Sequence, residues 1–233
     1  MTNQATTMVS NIMNDDVIRA PHAIKIKRAL ISVSDKDGII DFAKTLQSFG
    51  VEILSTGGTA KAMKEEGIDV KDVSDHTGFP EIMDGRVKTL HPKIPGGLLA
   101  KRDTESHKSA MQDNDISDID MLIVNLYPFV ETMCSGANFD TCIENIDIGG
   151  PAMIRAAAKN HNFVTVVTDP QDYDKVLADM EEHDGAVTKA LRQTLAANAF
   201  SMTATYDSNI ATWITGKTNK EEGKFPRRIS FSG

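Results

Sequence analysis

Two periods of apolar residues take turns along this chain. Residues 28–33 form a short apolar run ending at Ser34, which reads as a strand, and behind it Ile39, Phe42, Ala43, Leu46 and Phe49 fall at helical spacing. Gly50 stands where a left-handed residue would end that helix. The pattern repeats with a strand over residues 51–55, a Thr56-Gly57-Gly58-Thr59 turn, and a helix over residues 60–66 closed by Gly67. Residues 69–73 alternate and read as a third strand. Residues 121–124 are apolar throughout, as expected for a strand covered on both faces. Further helices are expected over residues 105–113, 139–146, 152–159 and 169–182, with another strand over 163–168. Pro151 suits the first position of the helix over 152–159, and Ala156-Ala157-Ala158 permits close packing. Residues 187–213 are helical by composition, and Met202, Tyr206 and Trp213 read there as core or interface packing.

Strands alternating with helices define an α/β fold: a mostly parallel open sheet flanked by helices, with an additional C-terminal helical segment. Residues 1–27 carry no continuous apolar run and read as a disordered tail without the features of a signal peptide. Residues 28–215 hold the domain. Residues 216–233 read as a linker and the start of a further strand at Ile229-Ser230-Phe231. No stretch approaches the roughly 20 apolar residues that span a bilayer.

The composition narrows the range of partners. With 233 residues and 40% apolar content the chain can bury a sizeable core, while its net charge of −8 argues against coating nucleic acid or an anionic membrane. Any anionic ligand must therefore meet a local basic cluster. Cys134 and Cys142 are too sparse for a disulfide framework, which suits a reducing, cytoplasmic compartment. The histidines form no H-x-x-x-H pair, and neither a metal nor an organic cofactor is indicated.

The basic cluster is in the segment least like a regular element. Within residues 74–97, Gly85-Arg86-Val87-Lys88-Thr89-Leu90-His91-Pro92 sets a guanidinium, an ammonium and a hydroxyl within four residues. In open parallel sheets ligands bind beyond the carboxyl ends of the strands, where Ser34, Thr56 to Thr59, Asn125 and Tyr127 are all expected to lie. Convergence of these residues with Arg86, Lys88 and Lys159 would make a basic pocket for a small phosphorylated ligand. Each also has a plain structural reading. Ser34 and Asp37 have capping-box spacing, Asp147 precedes a helix start, Lys159 ends a helix, and Tyr127 can anchor a loop.

Taken together, the motifs carry a resemblance. Ser34-Asp35-Lys36, Thr56-Gly57-Gly58-Thr59, Thr77-Gly78-Phe79-Pro80, the 85–92 segment, Asn125-Leu126-Tyr127-Pro128-Phe129, Ile146-Asp147-Ile148-Gly149-Gly150 and Ala156-Ala157-Ala158-Lys159-Asn160-His161 stand in one order. That series resembles the inosine monophosphate (IMP) cyclohydrolase domain, the amino-terminal half of a bifunctional purine-biosynthesis protein whose other half is a formyltransferase. The resemblance covers about residues 28–213 and implies a methylglyoxal-synthase-like fold. It also implies dehydrative closure of formamido-imidazole-carboxamide ribonucleotide (FAICAR) to IMP, and a homodimer joined to a formyltransferase domain. By position it places nucleotide binding on Ser34, Asp35 and Lys36, on Thr56 to Thr59, on Arg86, Val87, Lys88 and Thr89, on Val124 and Asn125, and on Asp147 and Ile148. The proton donor and acceptor falls on Lys159, with Lys88, Tyr127 and Asp147 around the reacting atoms.

Pro95 departs from the pattern, since the family commonly has histidine there, and substrate binding is expected to be altered if that histidine shapes the loop. Two other readings compete. A non-catalytic domain binding a nucleotide or another phosphorylated metabolite would need the phosphate loops but not Lys159, Lys88 and Tyr127 together. Methylglyoxal synthase itself would need a catalytic carboxylate in the phosphate site, and no motif places one there.

Overall fold

The computed structural model describes residues 22–218. The strands β2 (Arg28–Val33), β3 (Glu52–Ser55), β4 (Val70–Asp72), β5 (Met121–Asn125) and β6 (Thr165–Val167) form one parallel sheet in the order β4-β3-β2-β5-β6. The α/β architecture expected from the alternating periods is the one observed. A second, two-stranded sheet pairs β1 (Ala23–Lys25) with β7 (Ala186–Thr188) in antiparallel register. Both of its strands depart from expectation: β1 lies inside the stretch read as a tail, and β7 opens the stretch read as helix. Residues 1–21 and 219–233, with most of the expected tail and linker, lie outside the described residues.

The sheet is buried on both faces because each strand sends alternate side chains to opposite sides. Ala29, Ile31 and Val33 join Ile53, Met121 and Ile123 on one face. There they meet α1 (Ile39–Ser48) through Ile39, Phe42 and Leu46, and α9 (Tyr173–Glu182) through Tyr173 and Val176. On the other face Leu30, Leu54, Leu122 and Val124 pack against Ile94 and Leu98 of α4 (Lys93–Leu99) and Ile154 and Ala157 of α8 (Gly149–Lys159). Gly50 and Gly67 end α1 and α2 (Gly57–Glu65) with φ of 77°, as their positions predicted. Pro95 stands in the first turn of α4, where its missing N–H is one the helix does not use.

The long segment read as irregular is partly ordered, since α3 (Val73–Thr77) and α4 occupy its two ends. Helix α5 (Glu105–Asp113) falls where expected. Two further short helices, α6 (Phe129–Cys134) and α7 (Phe139–Glu144), sit over the far end of α10 (Lys189–Thr218) and share with it a satellite core of Phe129, Cys142, Tyr206 and Trp213. The near end of α10 packs into the main core through Leu195, Ala196 and Ala199. There Arg192 is fully buried, its Nε donating to His161 O at 2.9 Å, its Nη2 to Asn162 O at 3.1 Å, and its Nη1 to Val187 O. Burial pulls its pKa down to about 10, so it remains cationic at neutral pH and ties α10 to the turn before β6 and to β7.

Candidate active site

A cleft of about 710 Å³ opens at the carboxyl ends of β2, β3 and β5. This is where the strand order reverses, with β3 leaving β2 on one side and β5 on the other, the place at which open α/β sheets bind ligands. Two helices aim their amino termini into it. In α2 the first intrahelical bond runs from Ala60 N to Thr56 O at 3.2 Å, which leaves the amides of residues 57–59 as that helix's unshared donors. Helix α8 begins at Gly149 on the opposite wall. Each terminus adds partial positive charge where an anion would sit.

The loops between strand and helix are held by their own side chains. The Asn125 Oδ1 accepts from Ser34 N at 2.6 Å and Asp35 N at 3.0 Å, while its Nδ2 donates to Asp35 O at 2.8 Å. Thr59 Oγ1 accepts from Val33 N and donates to Val33 O, and Thr56 Oγ1 lies 3.2 Å from Ser32 Oγ. Asn125 and Thr59 therefore fix the cradle as well as line it. The capping box expected of Ser34 and Asp37 does not form. Gly38, at φ 65°, is the residue before α1, and Asp37 N donates instead to Asp35 Oδ1 at 3.0 Å.

The basic segment reaches the cleft through a tight bend of three left-handed residues, Met83, Asp84 and Gly85, two of which have side chains that disfavour it. The bend sends Lys88 over the first turn of α2, where a Cβ added to Gly57 would lie 3.8 Å from Lys88 Nζ. Thr89 fits against α8 only because residue 149 is glycine, since a Cβ there would come within 2.7 Å of Thr89 Oγ1. Both cations are already paired with carboxylates: Arg86 with Glu144, and Lys88 with Glu81 at 3.9 Å. The hydrogen bond to Glu144 raises the Arg86 pKa further above its usual range.

Asp147 is the half-buried carboxylate of the cleft. Its Oδ1 accepts from Gly150 N at 2.8 Å, so it does act as a helix-start carboxylate. Burial pushes its pKa up, and the amides of Gly150 and Tyr127 and the charge of Lys88 oppose that rise only in part. The result is a carboxyl group that holds its proton more tightly than an exposed aspartate, within the field of the Lys88 ammonium. Tyr127 stands at the mouth, 44% exposed.

Most of the residues singled out in the sequence line this one cleft: Ser34, Lys36, Thr56, Gly57, Gly58, Thr59, Arg86, Lys88, Thr89, Val124, Asn125, Tyr127, Asp147 and Ile148. Three do not. Asp35 uses its side chain within its own turn, and Val87 pairs with Ile82 in an isolated bridge. Lys159 is exposed at the last residue of α8, about 15 Å along the helix axis from the end that meets the cleft. Among the described residues, Lys159 makes no contact with the cleft that would serve the proton-transfer role expected of it. Pro95 likewise lies outside the lining. The sequence reading passed over Ser32, Asp84 and Glu144, which do line it. Ser32 was legible as the polar break in an apolar strand, whereas Glu144 belongs to no motif.

The fold and cleft define the class of protein, a domain of methylglyoxal-synthase type with an anion-ready site. Residues 38–152 match the MGS-like domain model and residues 157–233 the AICARFT/IMPCHase bienzyme model. The chain is similar to the bifunctional purine biosynthesis protein PurH of Paracoccus denitrificans (strain Pd 1222), 60% identical over 90% of this chain and 39% of that protein. The PurH of Roseobacter denitrificans (strain ATCC 33942 / OCh 114) is 56% identical over 89% of this chain and 39% of its own length. A solved structure titled "Crystal structure of ForH" superposes with a TM-score of 0.70 at 36% identity, covering 80% of this chain and 97% of that one. The chain belongs to the AICARFT/IMPCHase bienzyme family and spans about two fifths of the length of the curated relatives it matches.

Proposed function

We propose that this chain is an IMP cyclohydrolase that closes FAICAR to IMP with loss of water. The observation that carries the reading is the meeting of Lys88 and the half-buried Asp147 in one cleft with two helix amino termini and Arg86. A phosphorylated ligand alone would need only the last three. In the reaction the carboxamide nitrogen attacks the formyl carbon and gives up one proton, the formamido nitrogen gives up another, and the formyl oxygen leaves with both as water. Arg86 and the amides of residues 57–59 hold the phosphate. Lys88 stabilises the oxygen as it becomes anionic, Tyr127 shields the mouth, and Asp147 takes the proton from the attacking nitrogen. Ile148 forms part of the wall around the nucleotide, while Asp35 and Val87 shape the loops behind it through Asn125 and Ile82. No metal or organic cofactor is invoked.

The chain is further read as a cytoplasmic homodimer, in keeping with its unpaired cysteines and with Phe200 left exposed on α10. In a longer protein like its relatives it would be joined to a formyltransferase half. The competing reading, a regulatory nucleotide-binding domain, shares the phosphate cradle and differs at Lys88 and Asp147.

Calorimetric titration with IMP tests the binding half of this reading. One site per chain is expected, and no binding would overturn it. Glu144→Gln is expected to bind IMP about two- to fivefold more tightly, because Arg86 then meets the phosphate without first leaving an exposed carboxylate. Weaker binding by that variant would place Glu144 among the groups that hold the ligand.

A further inference from the structure

The sequence suggests only a packing role for Tyr206, yet its hydroxyl performs a polar task at the cleft wall. Tyr206 Oη accepts the backbone N–H of Asp147 at 2.8 Å and reaches Asn145 O at 3.4 Å. The ring is 9% exposed and sits edge-on to Phe129 at 6.3 Å, and Phe129 is in turn edge-on to Trp213 at 5.4 Å. Asp147 is thus pinned from both sides: its backbone N–H by α10, and its carboxylate by the Gly150 amide at the start of α8. Asn145 is the residue that caps α7, whose last residue, Glu144, pairs with Arg86. One hydroxyl therefore spans the joint between the helix that engages Arg86 and the carboxylate that shares the cleft with Lys88.

We infer that Tyr206 is a positioning residue: by holding the 145–147 backbone it fixes the direction of the Asp147 carboxylate toward the substrate. This rests on the reading of Asp147 as the proton acceptor. The physical reason is geometric. The backbone position of Asp147, its side-chain torsions and the Gly150 contact together set the carboxylate's aim, and misplacement by an ångström is enough to slow a proton transfer that depends on a short contact. Burial raises the Tyr206 pKa, which keeps the hydroxyl protonated and able to donate to Asn145 O while it accepts from Asp147. The link also makes the far half of α10 part of the active site without touching the ligand.

The test compares Tyr206→Phe with Trp213→Phe, which disturbs the same aromatic cluster but keeps the hydroxyl. In Tyr206→Phe, amide hydrogen exchange at residue 147 is expected to speed up about fivefold or more, as for loss of one hydrogen bond. Its kcat should fall about three- to tenfold while KM for FAICAR and the affinity for IMP stay within about twofold. Trp213→Phe should lower the melting temperature and leave kcat and exchange at residue 147 near those of the parent chain. Unchanged exchange or unchanged kcat in Tyr206→Phe would overturn the inference, as would an equal loss of kcat in Trp213→Phe. A parent chain without turnover would overturn the functional reading instead, and exchange at residue 147 would then decide the positioning one.

Discussion

Replacing Asp147 by asparagine is expected to lower kcat for ring closure by about 10²- to 10³-fold while leaving the fold and the affinity for IMP nearly unchanged. The substitution separates the two jobs this residue holds. As the carboxylate at the start of α8 it accepts the Gly150 amide, and an asparagine oxygen accepts that hydrogen bond almost as well. As a base it must take a proton from the attacking nitrogen, which an amide cannot do. Unchanged turnover would leave Asp147 as a structural cap alone. A pH profile supplies the second check. The folded-state pKa of Asp147 is raised, chiefly by burial, so the ionised base is lost as pH falls through a value above the ordinary carboxylate range. The acid limb of kcat should therefore lie higher than an exposed aspartate would place it, and it should vanish in Asp147→Asn.

The largest effect on stability is expected far from the cleft, at Arg192. Leucine in its place would bury about as much apolar surface but would leave the carbonyls of His161 and Asn162 without the donor that now satisfies them, and would remove a second donor from Val187 O, which faces Ile24 in the β1–β7 ladder. Each unsatisfied buried acceptor costs about 1–3 kcal/mol, so Arg192→Leu should lose roughly 3–5 kcal/mol in urea denaturation. That is a large part of the stability of an ordinary domain. Lysine should recover only part of it, since one ammonium cannot match three divergent carbonyls held by a planar fork. A loss below about 1 kcal/mol would mean that the freed carbonyls find other partners.

The sheet was legible because its strands are apolar runs separated by helices with a clear amphipathic period, and the glycines that end α1 and α2 stand where a left-handed residue is needed. What stayed hidden was short. β1 and β7 are held by their pairing with each other and sit in stretches that read as tail and helix, whereas β4 and β6, equally short, lie within longer alternating or apolar runs. Helices α3, α4 and α6, of five to seven residues, carry no helical period of their own beside the Gly and Pro residues that flank or interrupt them. The site was legible to the extent that its residues sit at or just past strand ends, as Asn125, Ser34 and Thr56 do. Asp147 and Lys159 show the limit. They are close in sequence and belong to neighbouring motifs, but α8 runs away from the sheet's carboxyl edge and carries Lys159 with it. Glu144 and Tyr206 were missed for another reason. Their roles depend on partners 58 and 59 residues away, Arg86 and Asp147, which a linear pattern cannot bring together.

The central claim is that this cleft makes a purine as well as holding one. Ultraviolet absorbance during incubation of the purified chain with FAICAR tests it most directly, with the Asp147→Asn chain in parallel. Catalytic appearance of IMP with the parent chain, slowed by at least about a hundredfold in the variant, is the predicted result. Tight binding of IMP without any conversion of FAICAR would contradict it and make the domain a nucleotide-binding module.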